Sequence, residues 1–182
     1  MKIFVNPGHC IGRDPGAVNE KYGIEEAAVV ANVGAGVKNY LEAAGHEVKV
    51  LQSDNLSGEN PIYPNVCLKA NTWPAELFIS IHCNSFTNER ANGTECCVYS
   101  HWSEADRVAY YIQNKIVEKL GTFNRGVKER NNLIVLKGTN MPAVLVELAF
   151  LSNEADCQKL MHRQDEFAKA IVEGVLDYLS DN

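Results

Sequence analysis

Two segments of this chain, LFISIH at 77–82 and AVLVEL at 143–148, are apolar runs that carry one ionisable residue at or near the carboxyl end. A strand with one wet face alternates polar and apolar residues, whereas an unbroken run needs cover on both faces. KIFVN at 2–6 has the same character, and EVKVL at 47–51, ECCVY at 95–99 and LIVL at 133–136 complete the strand candidates. Stretches of helical spacing lie between them, at 24–44, 64–73, 103–120 and 154–179. Ala105, Val108, Ile112, Ile116 and Leu120 form one stripe behind a Ser103 cap, and Leu160, Phe167, Ile171, Val175 and Tyr178 form another. This alternation predicts a three-layer α/β domain with a mostly parallel sheet.

The length of 182 residues and the 46% apolar content suit one domain, spanning 1–182. A net charge of −6 argues against a nucleic-acid partner, and no apolar stretch is long enough to span a bilayer. The chain is expected to act as a monomer. Met1-Lys2 leads straight into strand-like IFV, unlike a signal peptide. The six cysteines lack the CxxC spacing of a structural zinc site and read as reduced packing residues, with Cys96 and Cys97 facing opposite sides of a strand. SDNLSGENPIYP, 53–64, is a long polar loop suited to a lid or substrate wall.

Polar residues on these apolar elements are the chemical signal. His9 follows the first strand after Pro7-Gly8, His82 closes LFISIH, and Glu147 interrupts AVLVELAF. In open α/β sheets, ligands collect at the carboxyl ends of the strands, so parallel neighbours would place these residues on one rim. In the first helix, Val30, Val33, Val37, Leu41 and Ala44 mark the inward stripe, and one turn earlier that stripe lands on Glu26, while Glu25 points elsewhere. Taken alone, Glu26 reads more simply as a first-turn carboxylate at a wet helix end. A lone strand-end histidine is more often structural, and a buried glutamate often pairs with a base. Together, four costly polar groups on apolar elements would need four separate excuses. Two imidazoles and a carboxylate suit Zn²⁺ with an open coordination position, and a second carboxylate can move protons. His46, His101 and His162 sit in a turn, after a strand and on a polar helix face. Cys10 remains a weak candidate ligand, and the glycines near His9 match no phosphate-binding loop.

VNPGHCIGRDPGAV, GIEEAAVVANVGAGV, KANTWPAELFISIHCNS, ANGTE and MPAVLVELAFLSN occur in that order along essentially the whole chain. Together they resemble the zinc-dependent N-acetylmuramoyl-L-alanine amidases shared by bacterial autolysins and phage endolysins. The resemblance implies a mostly parallel, mixed six-stranded sheet flanked by helices on both faces. It implies hydrolysis of the amide between N-acetylmuramic acid and the L-alanine of the stem peptide, with peptidoglycan as partner. It places one Zn²⁺ on His9, Glu26 and His82, and the catalytic carboxylate on Glu147. Asn84, Glu95 and Arg125, the last in an RGVKER turn at 125–130, are candidates for lining the groove or supporting the site. Asn6 stands where the family commonly has Asp, Cys10-Ile11 where it has glycines, and Val66 where it often has Arg.

Two other readings stay open: a zinc peptidase cutting between stem-peptide residues, and a wall-binding module without catalysis. The expected place of action is the cell wall, reached by release on lysis or by secretion with loss of a signal, and a lysis-associated role is favoured.

Overall fold

The computed structural model describes residues 1–181. In chain order the elements are β1 Lys2–Pro7, β2 Val18–Asn19, β3 Ile24–Glu25, α1 Glu26–Ala43, β4 Glu47–Val50, α2 Val66–Thr72 and β5 Leu77–Asn84. Then come β6 Thr94–Val98, α3 Glu104–Leu120, β7 Asn124–Glu129, α4 Ile134–Gly138, β8 Ala143–Phe150, α5 Glu154–His162 and α6 Gln164–Ser180. The main sheet has six strands in the order β4-β1-β5-β8-β6-β7. β4, β1, β5 and β8 run parallel, while β6 is antiparallel to β8 and parallel to β7. β2 and β3 form a separate two-stranded ladder.

The apolar runs are covered on both faces. Ile3, Val5, Ile79, Ile81, Val144 and Val146 pack in one cluster with Val30, Val33 and Val37 of α1, Ile112 and Ile116 of α3, and Ile171 and Val175 of α6. The opposite face carries Phe4, Phe78, Cys97 and Leu145 against Val66, Cys67 and Ala70 of α2 and Val135 and Leu136 of α4. Each valine, leucine, isoleucine and phenylalanine among them contributes roughly 1.5–3 kcal/mol when fully buried. Cys96 and Cys97 divide between the two clusters, and all six cysteines are free thiols. Ser103 caps α3 as expected, its Oγ accepting from the Asp106 amide at 3.2 Å.

Four sequence expectations are corrected. LIVL is not a strand: α4 begins at Ile134 and turns Val135 and Leu136 into the second cluster. The sixth strand is the polar NRGVKE of β7, and the RGVKER segment is therefore strand rather than turn. As an edge strand with one neighbour, β7 needs no continuous apolar run, which hid it from the hydrophobic pattern. The helix expected at 154–179 is two helices broken at Arg163, whose guanidinium donates to the Lys119 and Leu120 carbonyls at the end of α3. Ile24 and Glu25, expected within the first helix, are extended and pair with β2.

β1 lies between β4 and β5, and the helices that lead to those strands, α1 and α2, cover opposite faces. The chain therefore reverses its winding at β1, the kind of switch point at which a crevice opens beside the carboxyl ends of parallel strands. Asp156 secures the far side of this rim. It is buried, and its Oδ2 accepts from the amides of Gly93 at 2.7 Å and Phe150 at 3.1 Å. Asp156→Ala should lower the urea midpoint by the equivalent of about 1–3 kcal/mol for each orphaned amide, with the slope m unchanged. A midpoint within error of the parent would show that this clamp contributes nothing.

Candidate active site

The loop after β1 is a tight, heavily bonded turn. Cys10 and Asp14 exchange backbone hydrogen bonds at 2.9 and 2.8 Å, and His9 just before them adopts a left-handed φ of 61°. The strain falls on His9 rather than on Cys10 or Ile11, so non-glycine residues are tolerated at those two positions. Asp14 holds the imidazole: its Oδ2 lies 2.8 Å from His9 Nδ1, and its Oδ1 accepts from the Gly16 amide at 3.1 Å. With Nδ1–H donated to Asp14, Nε2 faces a second partner: as N–H it donates to a carboxylate, and without its proton it offers a lone pair to a cation.

That partner is Glu26. α1 has no side-chain cap; its first amides, those of Glu26 and Ala27, donate instead to the Ala17 and Pro15 carbonyls at 2.8 and 3.0 Å. This seats the helix start beneath the loop and buries Glu26, while Glu25 stays exposed. Glu26 Oε2 lies 3.1 Å from His9 Nε2 and accepts from the Ala17 amide at 2.9 Å. Its Oε1 lies 3.0 Å from His82 Nδ1 and accepts from the Cys83 amide at 2.9 Å. The fit leaves no room for extra atoms. A Cβ on Gly16 would come within 2.6 Å of both Glu26 Oε2 and the His9 ring, and one on Gly8 within 2.1 Å of the His82 ring.

His82 and Glu147 are register partners on the adjacent parallel strands β5 and β8, and Glu95 on β6 is the cross-strand partner of Glu147. The three share the sheet face that carries Phe78, Leu145 and Cys97. The short helices α2 and α4 leave His82 and Glu147 partly exposed. Arg125 on β7 donates from Nε to Glu95 Oε2 at 2.7 Å. Asn84 does not join the cluster: its side chain turns back to accept from the Ser85 amide at 2.9 Å. His46 stands beside the N-terminus, His101 pairs with Asp106 and His162 ends α5, all outside it. Cys10 Sγ turns toward the Ile11 carbonyl. Asn6 is buried and donates from Nδ2 to the Leu51 carbonyl at 2.9 Å while accepting from Ser80 Oγ at 3.0 Å. An aspartate there would have no proton for Leu51. Asp14 was missed in the sequence, although RDPG just after a histidine is a turn that returns its carboxylate toward that ring.

The electrostatics suit a cation. Donor atoms of His9, Glu26 and His82 all lie within 4.8 Å of one another, a group that could hold a metal ion. Two neutral nitrogens and one carboxylate form the set Zn²⁺ favours at catalytic sites. Burial alone would raise the Glu26 pKa, but the hydrogen bonds from His82 and His9 outweigh it and hold the carboxyl well below the usual range. The Glu26 hydrogen bond, against the opposing effect of burial, pushes His9 up to about 9. Burial raises Glu147 to about 7, and its Oε2 is buried with no hydrogen-bond partner among the described residues. A buried oxygen without a partner fits one meant for something outside the protein.

A family model described as N-acetylmuramoyl-L-alanine amidase matches residues 3–177. The chain belongs to this family. It is 34% identical over 180 residues to the N-acetylmuramoyl-L-alanine amidase LytC of Bacillus subtilis, a match covering 97% of this chain and 35% of LytC. It is 30% identical over 193 residues to the germination-specific N-acetylmuramoyl-L-alanine amidase of the same organism, covering 98% of this chain and 80% of that one. The chain thus spans about a third of LytC but most of the germination relative. Among solved structures, the N-acetylmuramoyl-L-alanine amidase AmiC2 of Nostoc punctiforme superposes with a TM-score of 0.86 at 29% identity, covering 99% of this chain and 97% of that one. The six-stranded, mostly parallel sheet is therefore the family's fold.

Glu26→Ala and His82→Ala should each lose bound zinc, and Glu25→Ala should keep it, as read by elemental analysis after dialysis. Equal metal content in all four proteins would remove these residues from the metal set. The metal-free protein should also show a pH signature. A His9 pKa of about 9, above its ordinary 6.5, gives stability that is fully present below about pH 6.5 and lost as pH rises through 9. With chelator present, the urea midpoint should fall over that window, and His9→Ala should flatten the fall.

Proposed function

We propose that this chain is a single catalytic domain, a zinc-dependent N-acetylmuramoyl-L-alanine amidase that hydrolyses the amide between N-acetylmuramic acid and the L-alanine of the peptidoglycan stem peptide. The observation that carries the reading is the unpartnered, buried Oε2 of Glu147 in the register position beside His82. His9, Glu26 and His82 would hold the ion, and the two backbone amides on Glu26 and the Asp14 carboxylate on His9 keep those donors aimed without it. Bound there, Zn²⁺ supplies Lewis acidity that activates a water and polarises a carbonyl.

Glu147 moves the protons. A carboxyl poised at about 7 accepts a proton from the attacking water and returns it to the departing amine, because both of its forms are populated near neutrality. Burial sets this poise, as the largest influence on Glu147. All four residues come from one chain, so the reading needs no second subunit. No helix among the described residues is long and apolar enough to cross a membrane. The half-buried rim suits a polymeric substrate better than a closed pocket would.

On purified cell walls, the zinc-loaded protein should release stem peptides whose new amino group belongs to L-alanine, identified by mass spectrometry, and chelator should stop it. New ends between peptide residues would make it a peptidase, and binding without release a wall-binding module. Glu147→Gln should retain zinc and lose about 10²–10⁴-fold in rate, the usual share of general acid–base catalysis. Near-parental turnover by that variant would exclude Glu147 from proton transfer.

A further inference from the structure

The polar row does not stop at Glu147. Glu95 follows on β6 and Arg125 on β7, and the arginine reaches its place through a bulge. Thr94 pairs with Asn124 and Cys96 with Val127, so Arg125 and Gly126 together face Glu95. Gly126 takes a φ of 77°, and its amide donates to Asn124 Oδ1 at 2.9 Å. Buried Gln113 pins the same oxygen from α3 at 2.9 Å and holds the Thr94 carbonyl at 2.8 Å. The guanidinium is thereby fixed: Nε donates to Glu95 Oε2, Nη1 to the Asn92 carbonyl at 3.4 Å, and Cζ lies 4.9 Å from the centre of the Phe150 ring. Its Nη2 makes no hydrogen bond among the described residues, and the side chain is 33% exposed. A fixed planar fork with donors to spare suits a carboxylate.

The direction of the substrate follows from the roles of the residues, and this step rests on the amidase reading. The scissile carbonyl belongs over His9, Glu26 and His82, and the scissile nitrogen over Glu147, which protonates it. The peptide then leaves on the Glu147 side, across β6 toward β7, while the sugar lies toward β1 and the 53–64 loop. Two strand spacings of ~4.8 Å separate β8 from β7. That distance is spanned by two to three residues of extended peptide at ~3.3–3.6 Å each. We propose that Arg125 binds a free carboxylate carried by the stem peptide two to three residues beyond the scissile amide, and so selects walls in which that group is not amidated. The alternative is that Arg125 serves only to neutralise Glu95.

The test uses N-acetylmuramoyl peptides that differ only in whether the carboxyls of the second and third residues are free or carboxamides. Binding is measured on zinc-loaded Glu147→Gln protein, and kcat and KM on the protein with Glu147 intact, each with Arg125, Arg125→Lys or Arg125→Gln. Amidation should weaken binding and raise KM about tenfold or more with Arg125 present, in line with loss of a charge-assisted hydrogen bond, and leave kcat little changed. Arg125→Gln should erase the preference and Arg125→Lys retain part of it. Equal binding of free and amidated probes by the Arg125 protein would overturn the proposal even if a variant failed to fold. So would an Arg125→Gln protein that keeps the preference but loses kcat equally on every probe. Failure of the intact enzyme to cleave any probe would overturn the amidase reading instead, since the binding comparison is made separately.

Discussion

The site depends on one buried carboxylate. Glu26 sits on the inward stripe of α1, where a charge is expensive unless it is met on every side. Here it is met by two imidazoles and two backbone amides: His9 and Ala17 from the loop between β1 and β2, and His82 and Cys83 from the end of β5. These partners come from two distant stretches of the chain, so the carboxylate ties the first loop, the first helix and a central strand to one point. The same contacts that make its burial tolerable hold the three donors together. A cation placed among them replaces the shared protons with a stronger charge, which couples metal affinity to pH.

From that point the chemistry spreads along the sheet in strand order. β5 presents His82, β8 Glu147, β6 Glu95 and β7 Arg125, four neighbours on one face. Register does this: a parallel pair places His82 level with Glu147, and an antiparallel pair places Glu95 level with Glu147. The row passes from a cation site, through a proton carrier, to a fixed guanidinium. The change of direction at β6 matters, because it lets the segments before β6 and β7 meet the carboxyl ends of the parallel strands on the same rim. Asp156 and Gln113, buried on the other side, keep those segments in place.

Much of the fold was legible because it obeys burial. The runs at 2–6, 77–82 and 143–148 lie in the central strands, and the stripe of α1 pointed to Glu26 over Glu25. The errors fell where the pattern weakens. LIVL is apolar enough for a strand but covers a sheet face as a helix, and NRGVKE is too polar to announce itself because an edge strand has one wet side. The break at Arg163 depends on carbonyls from α3 that no local pattern contains. Asp14 escaped notice for a related reason, since its role is defined by the ring it touches.

The amino-acid sequence by itself determined which residues are costly: two histidines and two glutamates on apolar elements, for which burial requires a partner. It also determined the order of layers, because unbroken apolar runs can only be covered from both sides. The tertiary structure decided the rest. Register placed Glu95 beside Glu147, the Gly126 bulge turned Arg125 onto Glu95, and the Cys10–Asp14 turn aimed His9. Those outcomes depend on which strands become neighbours and on backbone angles set by distant hydrogen bonds, and a linear pattern of hydrophobicity carries neither.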